Sequence, residues 1–143
     1  MNLLKFLLAA VFAFLSATTH ADVDIKPTQH PIDAWYEAKM ANESVVSTAD
    51  MRDLTNQARI KWDNELNVVY QRLMKRLSPK QQAALRKSQQ QWLKYRDAEG
   101  NTILEIVSTQ QGTIHQLSGT NLGMQLVRSR ALDLLKYEQE FEN

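Results

Sequence analysis

Residues 48–77 read TADMRDLTNQARIKWDNELNVVYQRLMKRL, and this stretch decides the fold class. Apolar side chains recur in it every three or four residues, which places them along one face of an α-helix. They are Leu54, Ala58, Trp62, Leu66, Val69, Tyr70, Leu73 and Leu77. Thr48 is a candidate N-cap, and the basic residues near the end suit the negative end of the helix dipole. The stretch therefore predicts one long amphipathic helix that buries a single face.

Further helices are predicted on both sides of this stretch. Ser78-Pro79 is typical of an N-cap followed by the first residue of a new helix, which we expect over residues 79–107. A short helix is predicted over 32–40 and a last helix over about 121–140, with a glycine-rich loop at 108–123. No alternation typical of strands occurs. We therefore predict an all-α fold, an antiparallel up-and-down bundle of three long helices plus a short N-terminal helix.

The N-terminus has the pattern of a cleaved export signal. Lys5 precedes an apolar run over residues 6–15, and Ala21 supplies a small residue for cleavage. The run is too short for a bilayer-spanning helix, which needs about 20 residues. We expect a signal peptide at 1–21, an extended leader at 22–31 and a single helical domain at 32–143. The expected location is periplasmic or secreted, without stable membrane insertion after cleavage.

Charge and cysteine content exclude several classes of protein. The chain has 17 Lys and Arg against 16 Asp and Glu, so losing Lys5 with the signal leaves 16 against 16. A net charge of zero argues against nucleic-acid binding, which needs a basic surface to neutralise phosphates. The chain has no Cys, which rules out disulfides, thiolate metal sites and thiol catalysis.

Nothing in the sequence marks a catalytic site. His30 and His115 are the histidines that follow the signal, and neither has a paired nucleophile in view. Asp97 and Glu99 lie two residues apart on a predicted helix, so their side chains point to different faces and do not suit a glycosidase pair. We expect a protein that is not an enzyme and that has no metal ion or cofactor.

A block within the third helix is more specific than helical periodicity. Residues 89–100 read QQQWLKYRDAEG, preceded by Glu65-Leu66-Asn67 with Tyr70 and followed by Gly112-Thr113-Ile114 and then Arg130-Ala131. This order and spacing resembles the lysozyme-inhibitor LprI-like N-terminal domain family over about residues 51–137. The resemblance implies a small, helical, exported bacterial protein. From the family's namesake it also implies a protein partner, a lysozyme.

Most residues of this family motif have a simple structural interpretation. We expect Leu66, Tyr70 and Trp92 in the core. Arg96 lies on the same helix face as Trp92 and is expected to form an ion pair between helices, with Asp63, Glu65 or Glu99. The alternative is that Arg96 is a charged binding feature. The full motif set is Leu66, Asn67, Tyr70, Gln89, Trp92, Arg96, Asp97 and Glu99.

The sequence departs from the family at Gly100, where many members have a Cys that the resemblance implies is paired. The candidate partner-binding loop is Gly112, Thr113 and His115, with an ordinary connection as the alternative. A second function hypothesis is an envelope structural or interaction protein without a lysozyme target, docking through Trp35 and Tyr36. The identity of the partner and the oligomeric state stay open.

Overall fold

The computed structural model describes residues 29–141, which contain four α-helices and no strand. The helices are α1 (Pro31–Met40), α2 (Thr48–Arg76), α3 (Pro79–Ser108) and α4 (Thr113–Glu140). The predicted all-helical bundle is therefore confirmed. The predicted signal peptide and almost all of the predicted leader lie outside the described residues.

Capping boxes fix where α2 and α3 begin. The N-cap of α2 is Ser47 rather than the predicted Thr48. Its hydroxyl accepts a hydrogen bond from the Asp50 N–H at 3.1 Å, and the Asp50 carboxylate accepts one from the Ser47 N–H at 3.0 Å. The Ser47 hydroxyl also donates to this carboxylate at 2.6 Å, and that bond, followed by the one from the Ser47 N–H, lowers the pKa of Asp50. Ser78 and Gln81 form the same reciprocal pair at α3. Backbone N–H groups at the start of both helices, which have no acceptor within the helix, thus donate to side chains.

The prediction of a loop over residues 108–123 is wrong, because α4 already begins at Thr113. The connection from α3 is only residues 109–112, and Gly112 adopts a φ of 101° that other residues rarely adopt. Gly119 lies within the helix, where a Cβ would come within 2.9 Å of Cγ2 of Val107. Tertiary packing of α4 on α3 therefore outweighs the low helix propensity of these glycines.

The main helix interface joins α2 to α4, with α3 packed on α4 and α1 on α2. Thr48 contacts Thr113 at one end of the interface and Arg72 contacts Glu138 at the other, so α2 and α4 run in the same direction. Val107 near the end of α3 lies beside Gly119, whereas Ser88 near its start accepts a hydrogen bond from Arg130, so α3 runs opposite to α4. The core residues are Ala58, Trp62, Leu66, Val69, Leu73, Leu85, Met124, Val127, Ala131 and Leu134.

The short helix α1 is tied to both α2 and α4. His30, predicted in the leader, caps α1 through Nδ1, and its ring lies 4.4 Å from that of Trp62. Asp33 pairs with Arg128 of α4 at 2.6 Å, and the Tyr36 hydroxyl lies 2.8 Å from that of Thr55. Trp35 and Tyr36 are half-buried and pack against the core.

Candidate functional site

Helix α3 is long but sparsely packed. It has 30 residues, and Leu85 is its only buried one. Four large apolar side chains on it are instead exposed, namely Leu93, Tyr95, Leu104 and Ile106. A helix that buries so little of its surface leaves open grooves on either side, one toward α2 and one toward α4.

The groove between α2 and α3 collects most of the family motif, and we call it the motif groove. Its volume is about 440 Å³. Six of the eight motif residues line it, and the full lining is Asp63, Leu66, Asn67, Tyr70, Gln71, Arg86, Gln89, Gln90, Trp92, Leu93 and Arg96. Residues about 20 to 30 positions apart in sequence thus share one surface.

The expectation that the motif aromatics belong to the core holds only in part. Leu66 is 2% exposed and lies in the core as expected. Tyr70 and Trp92 are half-buried and pack against the edge of the core. Their exposure follows from the packing of α3, which lies mainly on α4 and leaves the space toward α2 open. Both rings are therefore accessible from the motif groove.

The predicted inter-helix ion pair of Arg96 is wrong. Its guanidinium donates from Nε and Nη2 to the adjacent Asp97 carboxylate at 3.0 and 2.8 Å. It also lies 5.5 Å from the centre of the Trp92 ring, within cation–π distance. The Cβ atoms of adjacent residues diverge, but the long Arg96 side chain folds back far enough to reach its neighbour.

Two other pairs join the helices, and sequence analysis did not find them. Arg72 of α2 donates to Glu138 of α4 at 2.8 and 2.7 Å, and these bonds lower the pKa of Glu138. Arg128 donates to Asp33 of α1 at 2.8 and 2.6 Å, which raises the pKa of Arg128. The available signal was the position of Glu138, four residues after Leu134 on the apolar face of α4.

The groove between α3 and α4 is the second open surface, and we call it the α3–α4 groove. Its volume is about 480 Å³. It shares Trp92 with the motif groove and includes the motif residue Glu99. Glu99 is half-buried, and its side chain makes no hydrogen bond or ion pair with the described residues. At its wall lies Arg130, a buried residue of the family pattern to which the sequence assigned no role.

The candidate loop residues do not form a protruding loop. Gly112 is the N-cap of α4, and the Thr113 hydroxyl lies 2.8 Å from that of Thr48. His115 is half-buried within the first turns of α4. None of the three lines either groove. A four-residue connection held to the start of α2 is too short to reach deep into a partner.

Within residues 29–141, no group of three or more His, Asp or Glu side chains is placed to hold a metal ion. The same part of the chain contains no helix with both the length and the apolar composition to cross a bilayer.

Residues 38–134 match the model of the family described as "Lysozyme inhibitor LprI". The chain belongs to the LprI family. The matched range includes α2, α3 and every residue of the motif groove. The membership also confirms the resemblance seen in the sequence.

The LprI-family fold is also similar to a solved structure, "Crystal structure of a putative uncharacterized protein from Burkholderia thailandensis", at a TM-score of 0.70 and 31% identity. The match covers 74% of this chain and 52% of that one, so this chain spans about half the length of the solved relative. No curated protein matched the chain.

Proposed function

We propose that this protein is exported to the periplasm and inhibits lysozyme there by binding the enzyme. The observation that carries the proposal is membership of the LprI family over residues 38–134, since the family is described as a lysozyme inhibitor. The signal-peptide pattern before Ala21 supports export.

We further propose that the motif groove is the surface that contacts the enzyme. Tyr70, Trp92 and Arg96 line it, and these are the residue types that most often dominate the energy of protein interfaces. Asn67 and Gln90 at its edge supply amide groups that suit the backbone of an inserted segment. A loop of lysozyme bound in the motif groove would place the bundle across the substrate cleft. The bundle would then block the cell wall sterically from entering the cleft.

The test is a cell-wall clearing assay with purified protein and several types of lysozyme. We expect inhibition that saturates near one molecule of this protein per lysozyme, because a binding inhibitor acts stoichiometrically and does not inactivate the enzyme catalytically. No inhibition at about 50 μM, which would saturate any complex with a Kd near 1 μM, would refute the proposed function. The alternative, an envelope interaction protein without a lysozyme target, would then be favoured and tested by pull-down from an envelope extract.

Two neighbouring glutamines give a matched pair of variants. The pair tests the motif groove as the contact surface separately from the proposed inhibition of lysozyme. Gln90 lines the motif groove, whereas Gln91 is also exposed but lines neither groove. Gln90→Trp should fill the groove and weaken inhibition by about tenfold or more, while Gln91→Trp should inhibit like the unmodified protein. Equal inhibition by both variants would place the contact elsewhere and leave the proposed function intact.

A further inference from the structure

The α3–α4 groove is lined by a buried arginine, Arg130. Arg130 is only 8% exposed. Its Nε donates to the Gln89 side-chain oxygen at 3.0 Å, and its Nη2 donates to the Ser88 hydroxyl at 3.0 Å. Both acceptors are neutral, and Arg130 forms no ion pair with a carboxylate of residues 29–141. Arg72 and Arg128, which are more exposed, both have carboxylate partners.

The carboxylates in the same groove do not neutralise this charge. Asp133 pairs with Lys136 at 3.1 Å. Glu99 lies ten residues beyond Gln89 on α3, a distance of about 15 Å along a helix. Burial of an unpaired charge is unfavourable, so a guanidinium in this position favours an incoming anion.

One nitrogen of the guanidinium remains available to such an anion. Nη1 makes no hydrogen bond with the described residues. Since no buried side-chain nitrogen or oxygen of this part of the chain lacks a partner, Nη1 is open to solvent. Arg130 is one of the residues that line the α3–α4 groove.

The rest of the groove suits the body of a small organic molecule. Its volume of about 480 Å³ falls in the range of ligand pockets, roughly 300–1,000 Å³. Trp92 and Tyr95 offer aromatic surface to this groove, and Ile103 and Leu126 add aliphatic surface. Polar side chains at the edge, Thr102, Gln125 and Ser129, can hydrogen-bond to substituents of a ligand.

We propose that the α3–α4 groove binds a small organic carboxylate, with the carboxylate on Arg130 and a ring against Trp92 and Tyr95. Two sources share this chemistry: a cell-wall sugar acid such as N-acetylmuramic acid, and an aromatic acid. The site shares only Trp92 with the motif groove and does not depend on inhibition of lysozyme.

The test is an NMR titration of the purified ¹⁵N-labelled chain with two acids and their uncharged counterparts. N-Acetylmuramic acid is compared with N-acetylglucosamine, and 3-phenylpropionate with 3-phenylpropanamide. We expect one acid to shift the Trp92 indole N–H and to bind about tenfold or more tightly than its counterpart. The acid that binds identifies the source. No shift with either acid at about 10 mM, or equal binding of acid and counterpart, would overturn the proposal.

Variants separate a specific site from weak general binding. Ser129 and Ser118 are both exposed on α4, but only Ser129 lines the groove. Ser129→Trp and Arg130→Gln should each weaken binding by about tenfold or more, whereas Ser118→Trp should bind like the unmodified protein. If circular dichroism shows that Arg130→Gln does not fold, Ser129→Trp decides. Binding that survives Ser129→Trp would contradict the proposal.

Discussion

At the scale of single residues, Glu138 shows how a charge is accommodated on the apolar face of α4. It is 8% exposed, and the bidentate hydrogen bonds from Arg72 stabilise its charged form. Those bonds lower its pKa relative to the ordinary carboxyl value of 4.5. The pair therefore stabilises the fold above the ordinary pKa, and this contribution is lost as the pH falls through the lowered one.

Glu138→Gln should accordingly reduce the free energy of unfolding at pH 7 by about 1–2 kcal/mol. Half-exposed Arg72 keeps the effect below that of a fully buried pair. The difference from the unmodified protein should shrink as the pH falls below 4.5, since the unfolded chain then takes up a proton before the folded one, and it should disappear below the lowered pKa. Urea unfolding at several pH values measures this difference in the free energy of unfolding. Glu140→Gln, an exposed control, should change little, and a difference for Glu138→Gln that is independent of pH would contradict this account.

At the scale of helices, the sequence predicted some boundaries far better than others. The periodic apolar residues of α2 and the Ser78-Pro79 signal placed the α2–α3 boundary almost where the structure has it. The start of α4 was missed because Gly119 and Gly123 weaken the helical pattern. The reason for a helix at Gly119 is a contact with Val107, which no local pattern contains.

The two glycines of α4 should respond oppositely to the same substitution. Gly123→Ala meets no atom within 4 Å and should stabilise the protein by up to about 1 kcal/mol through helix propensity. Gly119→Ala should destabilise it by about 1–2 kcal/mol, because the new Cβ would crowd Val107. Thermal unfolding measures both. In a Val107→Ala background, Gly119→Ala should become neutral or stabilising, and a persistent loss there would refute the steric explanation.

The motif was similarly predictable only in part. Helical spacing and family resemblance identified residues that the structure brings together in the motif groove. The partner of Arg96 was not predictable, because a long flexible side chain can reach several carboxylates and its choice depends on how closely α3 approaches α2. The sequence assigned no role to Arg130, because its burial without a carboxylate partner among residues 29–141 exists only in the packed structure.

At the scale of the whole molecule, stability should be unevenly distributed. The core is built mainly by α2 and α4, whereas α3 contributes one buried residue. Amide hydrogen exchange should therefore be slowest in α2 and α4, on the faces that contact each other. It should be faster across residues 90–106 of α3. Exchange measured by NMR tests this expectation. Equal protection in all three helices would mean that α3 unfolds only together with the core.

The parallel pairing of α2 and α4 has a consequence for the folding reaction. Contacts across it, such as Thr48 with Thr113 and Arg72 with Glu138, join residues 65 and 66 positions apart. Most helical proteins fold quickly because their contacts are local. Here the largest interface can form only after α3 has brought α4 back alongside α2. The chain therefore loses the entropy of closing this segment before it gains the free energy of core packing. Contacts of this kind raise the contact order, and they should raise the folding barrier with it.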